Sequence, residues 1–247
     1  MISPVRIFHV SDLHFGREDR AALDWFAEHT ARERPDAVVC TGDLTWRGTA
    51  HEFGAAQEWL TALAVPVSVE PGNHDIPYYW DPLRRLTRPY ERFRALRREV
   101  HSELALDQVR IVPLKTIARA QLRFNQSKGH ISPQSLAETL EHLHSAGDQC
   151  LKLVACHHPL VDSGTHSKGS TRGGRKALAA IAHAGADAVL SGHVHDPFDL
   201  RVEAGGHRIR IIGAGTLSAR VRRSPPAYNL LEWSQDKGLE VTVRHRG

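Results

Sequence analysis

Residues 5–14 read Val5-Arg6-Ile7-Phe8-His9-Val10-Ser11-Asp12-Leu13-His14. A short β-branched and aromatic run gives way at once to polar, metal-capable side chains, the pattern of a strand that ends in a functional loop. The pattern recurs along the chain. Ala37 to Cys40 leads into Thr41-Gly42-Asp43, and Val65 to Val69 leads through Glu70 into Pro71-Gly72-Asn73-His74-Asp75. Leu151 to Cys156 leads into His157-His158-Pro159, and Ala188 to Leu190 into Ser191-Gly192-His193-Val194-His195. Further strand candidates are Val109 to Val112, Leu114 to Ile117, Arg208 to Ile212 and Glu240 to Val243.

Apolar positions three and four apart predict helices over 20–33, 51–63 and 133–145, the last opened by Ser132 as cap and Pro133 in the first turn. Residues 174–184 read the same way after Gly173-Gly174. Strands alternating with helices predict an α/β domain, in which ligands gather outside the carboxyl ends of the strands. No repeat or linker divides the chain, so 1–247 reads as one domain, with an Arg-rich helical insertion at about 76–105 serving as a cap or dimerisation element.

Composition narrows the function classes. With 247 residues, 41% hydrophobic and 24% charged, the chain has enough apolar material for a sizeable core, which excludes a disordered or fibrous protein. No stretch approaches the roughly 20 apolar residues of a membrane-spanning helix, and the opening segment is too brief for a signal-peptide core, so a cytoplasmic location is expected. Cys40, Cys150 and Cys156 are widely spaced and odd in number, which argues against a disulfide framework or a thiolate zinc site. The net charge of +4 is modest, with arginines at 84–85, 97–98 and 220–223 that suit an anionic small-molecule substrate; nucleic acid is not an expected partner.

Any one of the five strand-end motifs alone reads as ordinary turn chemistry. Together they bring Asp, Asn and His donors to one layer, which independent turns would not do. In an extended chain, residues i and i+2 point to the same side, so Asp12-Leu13-His14 and His193-Val194-His195 are each expected to offer two donors to one place.

Read in chain order, the blocks Asp12-Leu13-His14, Gly42-Asp43, Gly72-Asn73-His74-Asp75, His157 and Gly192-His193-Val194-His195 resemble the calcineurin-like metallophosphoesterase superfamily, whose pattern runs D-x-H, G-D, G-N-H-[DE], H and G-H-x-H. The resemblance implies a four-layer α/β/β/α sandwich with two central mixed sheets. It also implies two divalent or mixed-valence metal ions: one held by Asp12, His14, Asp43 and His195, the other by Asp43, Asn73, His157 and His193, with Asp43 as the bridge. His157 takes the ligand place because that residue in the family sits two before the proline; His158 then stands behind it.

A mixed O/N donor set without thiolate is compatible with manganese, iron, zinc or cobalt, and the resemblance implies manganese or iron first, with zinc next. Two such ions implied by the resemblance suit phosphate-ester hydrolysis by a metal-bound hydroxide, since they supply positive charge and an activated water. Asn73 would help hold the phosphoryl oxygens, and His74 would stabilise the transition state or protonate the leaving group. Asp75 would either orient His74 or serve the turn. Phosphodiesters of the cyclic-nucleotide and glycerophosphodiester branch are the expected substrates. The alternatives are a phosphomonoesterase or nucleotide pyrophosphatase using the same centre, or a catalytically silent binding protein of the same fold. His158, His166 and Arg220 are candidate substrate contacts, with the 162–174 loop (His166, Lys168, Arg172) and residues 218–223 as specificity elements. A homo-oligomer formed through the 82–105 segment is a further expectation.

Overall fold

The computed structural model describes residues 4–78, 81–102, 104, 106, 108–117, 128–147, 150–166 and 171–247. Lys168 and parts of the 82–105 and 162–174 segments lie outside them.

Two five-stranded mixed sheets stand face to face. The first contains β1 (Val5–Val10), β2 (Ala37–Cys40), β3 (Val67–Val69), β9 (Ala227–Ser234) and β10 (Gly238–His245), in the order β10-β9-β1-β2-β3. The second contains β4 (Val109–Pro113), β5 (Leu151–Ala155), β6 (Ala188–Ser191), β7 (Phe198–Ala204) and β8 (His207–Gly213), in the order β4-β5-β6-β8-β7. In each sheet a parallel set, β1-β2-β3 or β4-β5-β6-β8, is flanked by antiparallel pairing. Parallel strands must be joined by crossovers; helices provide them within β1-β2-β3 and β4-β5-β6, and β7 carries the chain from β6 to β8.

Alternation along each strand explains the layering. Ile7 of β1, Ala37 and Val39 of β2 and Leu231 of β9 face Leu153 and Ala155 of β5, Leu190 of β6 and Ile212 of β8, forming the seam between the sheets. The intervening residues Phe8, Val10, Val38 and Cys40 turn outward onto α1 (Arg20–Glu33), α2 (Ala50–Ala62) and α4 (Glu91–Val100). Val154, Val189 and Ile211 meet α5 (Pro133–Ser145) and α6 (Gly174–His183) in the same way. The result is the expected α/β/β/α sandwich.

Local chemistry places the helices. Asp19 caps α1 by accepting from Ala22 N, and Thr49 with Glu52 forms a capping box on α2. Ser132 caps α5, with Pro133 in its first turn. The Arg-rich segment folds as α3 (Pro82–Thr87) and α4. Helix α4 sends Phe93, Leu96 and Val100 into the core, whereas α3 leaves Leu83 and Leu86 exposed.

Three sequence expectations need correction. Residues 114–117 are not a strand: after Leu114 N donates to Ala155 O the chain leaves the ladder, and Thr116 Oγ1 instead contacts His158 Nδ1 at 2.9 Å. Strands β7 and β9 were not expected. The exposed residues of β7 hide its pattern, although the Gly205-Gly206 turn, with φ of 61° and 82°, is a hairpin signal. β9 is buried over its first five residues and shows no clean alternation.

Candidate metal centre

Loops leaving β1, β2, β3, β5 and β6 converge at the carboxyl ends of the parallel strands. Pairing continues past the strands: Asp12 N donates to Gly42 O and His14 N to Asp43 O, both at 3.0 Å. Across the seam, His193 N donates to Asp12 Oδ2 at 2.8 Å and Thr216 Oγ1 donates to the Asp12 carbonyl at 2.6 Å. Gly192 makes this approach feasible. A Cβ there would overlap Ser11 Oγ and lie 2.6 Å from Asp12 Oδ2. A Cβ on Gly72 would likewise overlap the Asp43 backbone nitrogen and carboxylate.

Asp12 (φ 56°), His14 (48°), Asp43 (52°), His193 (70°) and His195 (64°) all adopt left-handed backbone, so the extended-chain picture of D-x-H and H-x-H is wrong in detail. The consequence differs between the motifs. Asp12 and His14 do share a place, their nearest polar atoms 3.6 Å apart, because the left-handed turns fold both inward. The two histidines of H-x-H separate. His195 Nε2 lies 3.2 Å from Asp12 Oδ1 and 3.3 Å from His14 Nε2, whereas His193 Nδ1 lies 3.3 Å from His157 Nε2.

Two groups therefore form. Asp12, His14 and His195 gather on one side, and His157, His193 and the Asn73 side-chain oxygen, 3.2 Å from His157 Nε2, on the other. Asp43 Oδ2 stands between them, 3.8 Å from His14 Nε2 and 3.3 Å from His157 Nε2. His158 is buried beside the second group, its ring 4.5 Å from that of His193. His166 is exposed, and among the described residues no hydrogen bond or ion pair joins it to the cluster.

The donors suit metal ions on the geometry alone. His14 Nδ1 faces Thr45 O, His157 Nδ1 faces Thr41 O and His195 Nδ1 faces Arg220 O, at 3.3, 2.9 and 2.7 Å. Each imidazole donates its Nδ1–H outward to a carbonyl and turns an Nε2 lone pair inward. Two lone pairs facing at 3.3 Å repel unless a cation lies between them. Nitrogens about 2.0–2.1 Å from one ion can stand that far apart. Asp12 Oδ1 is buried, accepts no hydrogen bond and faces His195 Nε2 at 3.2 Å, which leaves it able to meet an ion.

Electrostatics agree. Burial pushes the Asp12 carboxyl upward, but His195, His14 and His157 outweigh it and hold it well below the usual range; Asp43 is lowered in the same way, chiefly by His157 and His74. Burial disfavours the charged form of His157, yet the Asp43 and Asp12 carboxylates raise its pKa to about 9. His193, half-buried, is pushed down to about 3 by desolvation and by its neighbour His157. Two ionised carboxylates in a dry site thus demand cations, whether protons or metal.

The residues around the cluster carry assignments that sequence left open or missed. Asp75 serves the turn: its carboxylate accepts from Leu44 N, Thr45 N, Thr45 Oγ1 and Gly72 N at 2.8–3.1 Å. His74 is oriented instead by Trp46, whose carbonyl accepts from His74 Nδ1 at 2.6 Å and whose ring stacks on the imidazole at 4.8 Å and 17°. Nothing in the sequence around Trp46 announced this, because the bond runs to a main-chain oxygen. Cys156 is buried, its thiol pKa pushed up by burial, and its Sγ–H points to His158 O at 3.4 Å, a packing role.

Comparison with known proteins agrees with this construction. A probable glycerophosphodiester phosphodiesterase GpdQ from Arcobacter nitrofigilis is 25% identical over 264 residues, covering 98% of this chain and 93% of that protein. The 3′,5′-cyclic adenosine monophosphate phosphodiesterase CpdA from Pseudomonas aeruginosa is 23% identical, over 97% and 89% of the two chains. The fold matches that of a dimetal phosphatase from Danio rerio with a TM-score of 0.62 over 99% of this chain and 100% of that one, at 16% identity. The model of the calcineurin-like phosphoesterase family spans residues 5–197, from β1 to just past His195. The chain belongs to the calcineurin-like phosphoesterase family and is a hydrolase of phosphoesters.

Proposed function

We propose that this protein hydrolyses phosphodiesters at a binuclear centre, with one ion held by Asp12, His14, Asp43 and His195 and the other by Asp43, Asn73, His157 and His193. The position of Asp43 Oδ2 between two imidazole groups carries this reading, because one carboxylate oxygen within 4 Å of both suits a bridge. Preference for diesters is supported by two relatives, each aligned over almost the whole chain and each named a phosphodiesterase. The donors are oxygen and nitrogen only, which suits manganese, iron or zinc, and manganese or iron is the proposed pair, with zinc next.

When bound, the ions supply Lewis acidity and lower the pKa of a coordinated water. The chain does the rest. Asn73 turns its side-chain oxygen toward His157, leaving its amide group to hold a phosphoryl oxygen. His74 lies 4.9 Å from His14 ring to ring, and its Nδ1 is committed to Trp46 O, so Nε2 is the nitrogen that meets the substrate. Protonated, it donates to the departing alkoxide; its role is general acid.

The remaining inferences are coarser. Among the described residues no helix is long and apolar enough to cross a membrane. Free thiols at Cys40, Cys150 and Cys156 support a cytoplasmic location. Exposed Leu83 and Leu86 on α3 support a substrate-side cap or a homo-oligomeric contact within one domain.

The test is hydrolysis of bis(p-nitrophenyl) phosphate against p-nitrophenyl phosphate by metal-stripped protein reloaded with Mn, Fe, Co or Zn, with Asp43→Ala as control. Faster diester cleavage that the control lacks supports the reading. Preference for the monoester moves the protein to the phosphatases, and absence of metal-dependent turnover on either ester refutes the reading.

A further inference from the structure

Arg220 does two things with one residue. Its carbonyl accepts from His195 Nδ1 at 2.7 Å, which ties its backbone to the metal centre. Its side chain folds back over that centre: the guanidinium carbon lies 4.5 Å from the Trp46 ring, and Nη1 comes within 3.5 Å of His14 Nε2. Trp46 is therefore a shared platform, stacked on His74 and covered by Arg220, with Arg17 5.7 Å from the same ring. Arg222 lies close enough for its charge to be felt at Arg220. Among the described residues, Arg17, Arg220 and Arg222 make no ion pair with any carboxylate.

The carboxylates felt at Arg220 are Asp43 and Asp12, the same two that the proposed ions would claim. Two divalent ions, once bound, would outweigh Asp12 and Asp43, and a phosphodiester carries a single negative charge. Arg220 is half-buried and Arg17 and Arg222 are exposed, so the positive charge runs from the edge of the centre out to solvent, where an incoming anion can meet it. A guanidinium held over an indole is also pre-organised, so little rotamer freedom is lost when it grips a planar or tetrahedral oxyanion.

We propose that Arg220, seated on Trp46 and flanked by Arg17 and Arg222, forms a subsite for a second anionic group of the substrate, a carboxylate or phosphate oxyanion beyond the scissile phosphorus. The proposal rests on the phosphodiesterase reading and names its substrate class: diesters with an additional negative charge on the Trp46 side.

The test uses two diesters that differ by one carboxylate, glycerophosphoserine and glycerophosphoethanolamine, with the manganese-loaded protein. The wild type is expected to prefer glycerophosphoserine by about tenfold in kcat/KM, mostly through KM, as one charge-assisted hydrogen bond provides. Arg220→Met and Trp46→Leu should bring the ratio near one, with Arg220→Lys between. Equal losses on both esters would assign Arg220 to the scissile phosphate and overturn the subsite. Calorimetry on metal-stripped protein gives a readout free of catalysis: pyrophosphate should bind about tenfold more tightly to the wild type than to Arg220→Met, with thermal unfolding confirming that the variant is folded. Equal affinities overturn the proposal. If neither ester is hydrolysed with any metal, the phosphodiesterase reading fails and the calorimetric comparison alone decides the subsite.

Discussion

Asp12 divides its carboxylate between two tasks: Oδ2 accepts the His193 backbone N–H at 2.8 Å across the seam of the two sheets, while Oδ1 accepts nothing and faces His195 Nε2 at 3.2 Å. One oxygen holds the architecture and the other is left for an ion. Substitution can separate them.

Asp12→Asn keeps an acceptor for His193 N and removes the charge, so it should fold nearly as well as the wild type while binding less than a full complement of metal. Asp12→Ala loses both and should also lower stability by about 1–3 kcal/mol, the cost of a buried N–H left unpaired. Metal content by elemental analysis and urea unfolding of the two variants check this. Equal stability of the two would show that the seam bond does not matter.

His74→Ala should lower kcat by about 10²- to 10⁴-fold, the range of a general acid, with metal content unchanged. Loss should be larger for alkyl than for nitrophenyl leaving groups, because nitrophenolate departs without a proton. A loss that is uniform across leaving groups, or loss of metal, would remove His74 from the acid role.

Metal affinity should fall as pH falls. His157 is raised from its ordinary 6.5 to about 9 in the metal-free chain, so protons compete for its Nε2 through neutral pH. The same shift predicts a sign for stability: the His157–Asp43 attraction is fully present below about pH 6.5 and is lost as pH rises through about 9. Proton release on manganese binding, measured in buffers of different ionisation enthalpy, should be substantial at pH 7.5 and shrink above pH 9.

Glu70 offers a test away from catalysis. It is buried at the end of β3, and burial raises its carboxyl from 4.5 to about 7 against the attraction of Arg97 and Lys115. Because the folded value lies above the unfolded one, stability is lost as pH rises from about 4.5 through 7. Glu70→Gln should therefore gain stability over the wild type at pH 8 and little or none at pH 4.5. Thermal melts at the two pH values would show a constant difference if Glu70 does not titrate.

Much of this molecule was legible because its strands are short and its donors follow them immediately. Val5 to Val10 and Ala37 to Cys40 were bounded to the residue, as were the helices over 20–33 and 133–145. The motifs drew the metal-capable residues to one layer without any view of the chain in space. What stayed hidden was of two kinds. Strand β7 exposes most of its side chains, and β9 is buried through a continuous run, so neither alternates in the manner that identifies a strand. Contacts to main-chain atoms were equally silent: Trp46 orients His74 through its carbonyl, and Thr41, Thr45 and Arg220 turn the clustered imidazoles through theirs. A carbonyl is present at every position, so no residue type marks the ones that matter.

The left-handed backbone at Asp12, His14, Asp43, His193 and His195 has an evolutionary corollary. Such conformations cost an L-residue on the order of 1 kcal/mol each, and together they approach the margin by which a domain stays folded. A descendant released from selection on turnover could replace any of them by glycine and relax. The shortest mutational route to a sturdier molecule therefore runs through the loss of these five side chains, and with them of the metal-capable cluster.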